Sequence, residues 1–335
     1  MSTKLICASC GALWLSDSAQ SLIERSGECL RCRGRMLAVD ELLAASSQRP
    51  QFAITEATEA LGRGIAARLA AFGFAQRLIV RDVDQAPSLA GAEVAEASYD
   101  DAAAMRRALA GVRTLVLLAA RESPDRVQEH FATVDAAVAA GVERVVYLSF
   151  LAAAPDATFT LARDHFETEE HARATGVSYT FLRPSLYLDS VPSLCSPDGV
   201  IRNTAGDGRV ACVSRADVAA VVVAVVIESA HDGLTYDVTG SEAQTMTEFA
   251  QQLALVTGRP VTYLLETLEE ARASRAASGA TDWEIAGAIS SFAAIAAGEL
   301  DTVSDTIARL TGNQPQTLRD YLHRHPESYR HLVAA

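Results

Sequence analysis

From Gln51 onward, short apolar runs alternate with stretches in which apolar residues recur at the helical period. The run Phe52–Thr55 leads into Leu61, Ile65, Leu69 and Phe72, which share one helix face. Leu78–Val80, Leu115–Ala119, Arg144–Ser149 and Tyr179–Leu182 read as strands. Ala102–Leu109, Val127–Ala140 and Ala162–Thr175 read as the helices between them. The alternation continues with a helix over Val218–Ile227 and a strand over Thr235–Val238. Short, continuously apolar strands separated by helices predict a parallel sheet covered on both faces, a doubly wound α/β fold. After Glu242 the character changes. A helix at Thr247–Val256, a strand at Val261–Leu265 and mostly helical residues to Arg324 predict a helical cap over the sheet's carboxyl edge. The predicted organisation is a module at 1–43, a linker at 44–50, the α/β domain at 51–242 and the cap at 243–335.

The first module breaks this pattern. Cys7 and Cys10, then Cys29 and Cys32, form two C-x2-C pairs separated by 18 residues. Two such knuckles match the spacing of a tetrahedral four-cysteine zinc site, closed by protein ligands and therefore structural. A segment this short needs such a metal to fold. The module's charges balance, Lys4 and four Arg against Asp17, Glu24, Glu28, Asp40 and Glu41. That balance favours a protein contact over nucleic acid.

Composition narrows the chemistry. The chain has 335 residues, 49% of them apolar, and a net charge of −13. That charge argues against non-specific binding to nucleic acid or membrane surfaces. Lys4 is the only lysine, so a Schiff-base lysine, a P-loop lysine and a Tyr-x-x-x-Lys dyad are excluded from everything that follows it. The longest apolar run, Val218–Ile227, is too short to span a bilayer, and the expected location is the cytoplasm.

The loop after the first long-domain strand reads Ile54-Thr-Glu-Ala-Thr-Glu-Ala-Leu-Gly62. It resembles the phosphate loop of the NmrA-like, atypical short-chain dehydrogenase/reductase family, Thr-Gly-Ala-Thr-Gly-x-Leu/Ile-Gly. Leu78-Ile-Val-Arg-Asp82, Val145-Val-Tyr-Leu-Ser149, Phe159 to His165, Tyr179 to Pro184, Gly206-Asp-Gly208 and Tyr236 to Gly240 extend the resemblance over about residues 51–335. It implies a Rossmann fold and a dinucleotide site built from Thr55, Glu56, Glu59, Gly62, Arg81 and Ser98. In the family, the Arg81 position faces the 2′-phosphate of NADP, and the Ser98 position often carries an acid that faces the adenine.

Two of the three loop glycines are replaced, by Glu56 and Glu59. Glycine there makes the tight turn and lets the backbone approach the pyrophosphate. A carboxylate in that place opposes the phosphates at a cost of about 3–4 kcal/mol per contact at an effective dielectric of about 20. Efficient NADP(H) binding is therefore expected to be lost. One further expectation is that Glu56 or Glu59 folds back to accept hydrogen bonds from the amides opening the next helix. Counting back from Gly176, the family's Lys position holds His165 and its Tyr position holds Leu161. His165 is then the candidate acid/base, oriented by Glu169 one turn later, with Ser149 at the site edge. Arg121, Arg183 and Tyr187 are the candidate substrate-cleft residues.

The principal expectation is a pseudo-dehydrogenase that binds a small molecule or protein partner and carries structural zinc. The alternatives are an NAD(P)H-dependent, quinone-reductase-like oxidoreductase and a cofactor-independent enzyme using His165. Self-association is compatible with all three.

Overall fold

The structure is a computed structural model that describes residues 5–7, 13–14, 23, 26–29, 36–38 and 50–333. Three short strands, β1 (Leu5–Cys7), β2 (Leu13–Trp14) and β3 (Met36–Ala38), form an antiparallel sheet in the order β2-β1-β3. Cys10, Cys32 and the Cys7 side chain lie outside the described residues, while Cys29 is buried. The four-cysteine prediction falls largely there.

The main domain alternates strand and helix as the pattern predicts. β4 (Phe52–Ile54) leads to α1 (Ala60–Ala71), then β5 (Gln76–Val80) and β6 (Ala92–Glu96). α2 (Ala102–Leu109), β7 (Thr114–Leu117), α3 (Arg126–Ala139) and β8 (Arg144–Leu148) follow. α4 (Thr160–Thr175) and β9 (Ser178–Pro184) complete the region that carries the candidate catalytic residues. β10 (Val200–Asn203), α5 (Arg215–Val226) and β11 (Leu234–Val238) come next.

Seven strands form one sheet in the order β11-β9-β8-β7-β4-β5-β6, every neighbouring pair parallel. Strand order reverses between β4 and β7, and a crevice opens there at the carboxyl ends, where doubly wound sheets take their ligands. The two-residue period sends alternate side chains to opposite faces. In β8, Val146 and Leu148 join the core under α1 and α5, while Val145 and Tyr147 enter the core under α2 and α3. Tyr147 thereby points toward the helices that carry His130 and His165.

The remaining chain is mostly helical. α6 (Met246–Thr257), β12 (Thr262–Leu265), α7 (Leu268–Ala277) and α8 (Asp282–Ala296) precede α9 (Thr306–Thr311), α10 (Leu318–Arg324) and α11 (Arg330–Val333). Capping boxes start α6, α7 and α10, with Thr245, Thr267 and Thr317 each reciprocated by an acid three residues on, and Glu284 likewise accepts from Thr281 at the start of α8. β12 pairs with β10 in a separate two-stranded parallel sheet. A single apolar cluster runs from Phe150 and Phe159 through Phe249 and Ile295 to Leu322, tying α4 to α6, α8 and α10. No helix among the described residues is long and apolar enough to cross a membrane.

Candidate functional site

The loop after β4 keeps the shape of a glycine-rich turn without two of its glycines. Thr55 Oγ1 accepts the Leu118 N–H at 2.9 Å and stitches the ends of β4 and β7 together. Glu56 follows in the left-handed region, at φ 48°, where a non-glycine residue is strained. Its carbonyl accepts the Glu59 N–H at 3.0 Å and closes the turn. Gly62 is indispensable to that closure, since a Cβ there would lie 2.3 Å from the Glu56 carbonyl oxygen.

The side chains do not fold back onto the helix as expected. Glu59 caps α1 by position but makes no side-chain hydrogen bond to it. The Glu56 carboxylate is buried and turns to Arg81, 3.6 Å from its guanidinium. Burial raises the Glu56 carboxyl above its ordinary range, and Arg81 pulls it back down. The first-turn amides of α1 are thus not capped by either acid.

Two cavities meet at this loop. One, of about 380 Å³, is lined by Glu56, Arg81, Ser98, Tyr99 and the loop after β7. In it Ser98 donates to Asp100, and Arg121 projects from an exposed loop position. The other, of about 460 Å³, extends from Glu56 and Glu59 across Ser149 and His165 to Tyr187 and Arg215. Its walls are mostly apolar. The Tyr187 hydroxyl is pushed up to about 12 by burial, and Arg215 lies 4.3 Å over its ring.

Behind the second cavity lies a buried polar network. His165 Nε2 is 2.8 Å from an Arg126 guanidinium nitrogen, and His165 Nδ1 is 2.8 Å from the Tyr147 hydroxyl. Arg126 has no acceptor capacity, so it must donate, and His165 must accept at Nε2. That assignment leaves the proton on Nδ1, directed to Tyr147. His130 is held likewise, with its Nε2 accepting the Ala120 N–H at 2.9 Å. Burial, then Arg126, drives both imidazoles well below their ordinary pKa, so both are neutral.

Glu169 does not orient His165. It is fully buried and accepts from Ser149 at 2.6 Å and from Arg183 at 2.8 and 2.7 Å, with Arg173 at 3.2 Å. The predicted trio therefore separates. Ser149 and Arg183 join Glu169 in one ion-pair cluster, which occupies Arg183, while His165 belongs with Arg126 and Tyr147. Arg126, His130, Tyr147 and Asp164 were missed in the sequence. The signal that could have found Tyr147 is its place in β8, opposite in facing to Val146. Arg126 has none, because its position depends on where α3 begins.

Fold and site together define an NAD(P)H-binding protein. The chain belongs to the NAD(P)H-binding, NmrA-like Rossmann family, whose NAD(P)H-binding model matches residues 57–229. It is 35% identical over 278 residues to quinone oxidoreductase 2 of Escherichia coli, covering 80% of this chain and 96% of that one. It is 36% identical over 282 residues to (4-alkanoyl-5-oxo-2,5-dihydrofuran-3-yl)methyl phosphate reductase of Streptomyces griseus, covering 82% and 98%. The crystal structure of the E. coli NADPH-dependent quinone oxidoreductase with NADPH superposes with a TM-score of 0.73 at 33% identity, covering 82% of this chain and 99% of that chain.

Two expectations are corrected by these findings. The pseudo-dehydrogenase reading gives way to its oxidoreductase alternative, because relatives matched over nearly their whole length are reductases. The cofactor expectation of structural zinc with NADP(H) disfavoured gives way to NADP(H). No group of three or more His, Cys, Asp or Glu among the described residues could hold a metal. The charge argument failed for a physical reason. Glu56 occupies the glycine conformation with its backbone intact, and its carboxylate is balanced by Arg81.

Proposed function

We propose that the protein is an NAD(P)H-dependent reductase of quinone-like acceptors. The observation that carries this reading is the pair of adjoining cavities at the β4/β7 crevice, which share Glu56 of the glycine-loop turn, the larger of them mostly apolar. The residues present fit a dinucleotide. Gly62 allows the close turn, the first amides of α1 are left uncapped by side chains, and Arg81 lines the smaller cavity. In this reading Thr55 to Gly62 hold the phosphates, and Arg81 and Ser98 face the adenosine side.

When bound, the nicotinamide supplies two electrons and a proton as one hydride equivalent. The chain supplies the rest. Leu161, at the family's Tyr position, lines the cleft and cannot donate a proton. An acceptor whose reduced form takes its second proton from water suits such a site, and quinones are of that kind. Leu118, Leu148, Phe150 and Phe159 form apolar walls that exclude water from a flat ring. His165, whose Nε2 lone pair is engaged, holds Arg126 in place in this reading, and abstracts no proton.

The test is fluorescence titration of NADPH into the protein, followed by NADPH consumption with a simple benzoquinone. Saturable enhancement and quinone-dependent turnover are expected. Absence of saturable binding would overturn the proposal.

A further inference from the structure

The Arg126 guanidinium is buried, 3% exposed, yet it lines the larger cavity. A guanidinium carries five N–H donors. Nε donates to the Ala120 carbonyl at 3.3 Å, one terminal nitrogen to Asp164 at 3.3 Å, and the other to His165 at 2.8 Å. Three donors are thus used, and the remaining two have no acceptor among the described residues. Because the guanidinium lines the cavity, a ligand oxygen there can take these two hydrogens in place of water.

The three partners also fix the plane of the guanidinium. His165 is itself held by Tyr147 at 2.8 Å and by the Phe150 ring, stacked at 6.2 Å between centroids. Asp164 balances the charge but accepts only one N–H. The donor array is therefore rigid before any ligand arrives, which is what stabilisation of a developing charge requires. Glu56, Glu59 and Glu122 also line this cavity, and Arg126 is its most buried cation.

We propose that Arg126 is a catalytic residue that donates hydrogen bonds to the substrate oxygen that becomes an oxyanion on reduction. The inference rests on the reductase reading and ties its quinone-like acceptors to those whose reduced form is a phenolate or enolate. The step balances. Reduced nicotinamide gives up two electrons and a proton, the acceptor becomes a monoanion held by Arg126, and water supplies the second proton. Asp164 and His165 are positioning residues for the guanidinium.

A redox-inert probe isolates this role. 4-Nitrophenol resembles the reduced monoanion, and its anion is yellow while its neutral form is not. Titrated into wild-type protein near the probe's own pKa, it is expected to bind as the anion, with growth of the visible band. Arg126→Gln is expected to lower anion affinity tenfold or more, about 1.4 kcal/mol, and Arg126→Lys to restore part of it. NADPH fluorescence titration of the same proteins keeps the two readings apart. NADPH binding by wild type together with preference for the neutral phenol would overturn the Arg126 assignment alone. So would an anion affinity unchanged in a folded Arg126→Gln protein. Loss of NADPH binding in wild type would overturn the reductase reading and this inference with it.

Discussion

His165 accepts a hydrogen bond from Arg126 at 2.8 Å, so the lone pair that a general base would use is already engaged. His165→Gln retains an acceptor for Arg126 but cannot titrate. Its kcat for NADPH-dependent quinone reduction is expected to stay within about fivefold of wild type. The pH–rate profile of the wild type should also lack an ionisation near the ordinary histidine pKa of about 6.5. A loss of two or more orders of magnitude in kcat, with a new pH dependence, would restore His165 as a base.

The same burial sets an acid limit on stability. His130 and His165 have folded pKa values well below those of the unfolded chain. Between the two values the unfolded chain binds more protons, so stability is full above about pH 6.5 and falls as pH drops below it. The slope is about 1.4 kcal/mol per pH unit for each histidine. Urea unfolding at pH 7.5 and 5.5 should show this loss, and His130→Asn should remove one proton from the slope. A flat profile across that interval would contradict the buried neutral assignment.

Glu56 works in the opposite sense. Its carboxyl is raised in the fold, so its ionisation costs stability as pH rises above the ordinary carboxylate range. Its left-handed backbone adds a strain of about 1–2 kcal/mol. Glu56→Gly removes both and is expected to raise the unfolding midpoint, while NADPH affinity changes little because Arg81 already balances the carboxylate. Calorimetry and fluorescence titration check each half separately.

Glu169 is fully buried among Ser149, Arg183 and Arg173. Glu169→Gln leaves two guanidinium groups facing a neutral amide. The expected loss is about 3 kcal/mol, the low end for a broken buried pair, because both arginines keep partial solvent contact. Ser149→Ala should cost only about 1 kcal/mol. Denaturant unfolding of the two variants gives the comparison, and equal effects would show that Ser149 carries more than a supporting bond.

Gly62→Ala would place its Cβ 2.3 Å from the Glu56 carbonyl oxygen and 3.0 Å from Ala57 Cα, backbone atoms that no rotamer change can move away. The loop must open, at a cost of about 1–3 kcal/mol. NADPH binding is expected to be lost even where the protein remains folded by circular dichroism.

The parallel sheet was legible because β4, β7 and β8 are buried on both faces and read as continuous apolar runs. β6 was not, because Ala92–Glu96 is an edge strand, half exposed on both faces, with no alternation to detect. β10 escaped for a related reason, pairing with β12 outside the main sheet. The site was legible in its residues and not in its partnerships. Glu169 sits four residues after His165 on α4, which invites an in-helix pair, but Arg183 on β9 and Ser149 after β8 converge on it in three dimensions. Spacing along one helix describes neighbours on its surface and says nothing about a strand packed beneath it. Glu56 was read correctly as a charge and wrongly as an obstruction, since sequence shows the side chain but not that it lies toward Arg81.

The turn at Glu56 has an implication for descent. Its backbone is held by Thr55, the Glu59 amide and Gly62, so the turn keeps its shape with glutamate in the left-handed region, strained but closed. A glycine codon becomes a glutamate codon by a single base change, GGA to GAA or GGG to GAG, and reverts as easily. One base change therefore adds or removes a negative charge beside Arg81, at a turn whose closing hydrogen bond uses backbone atoms alone.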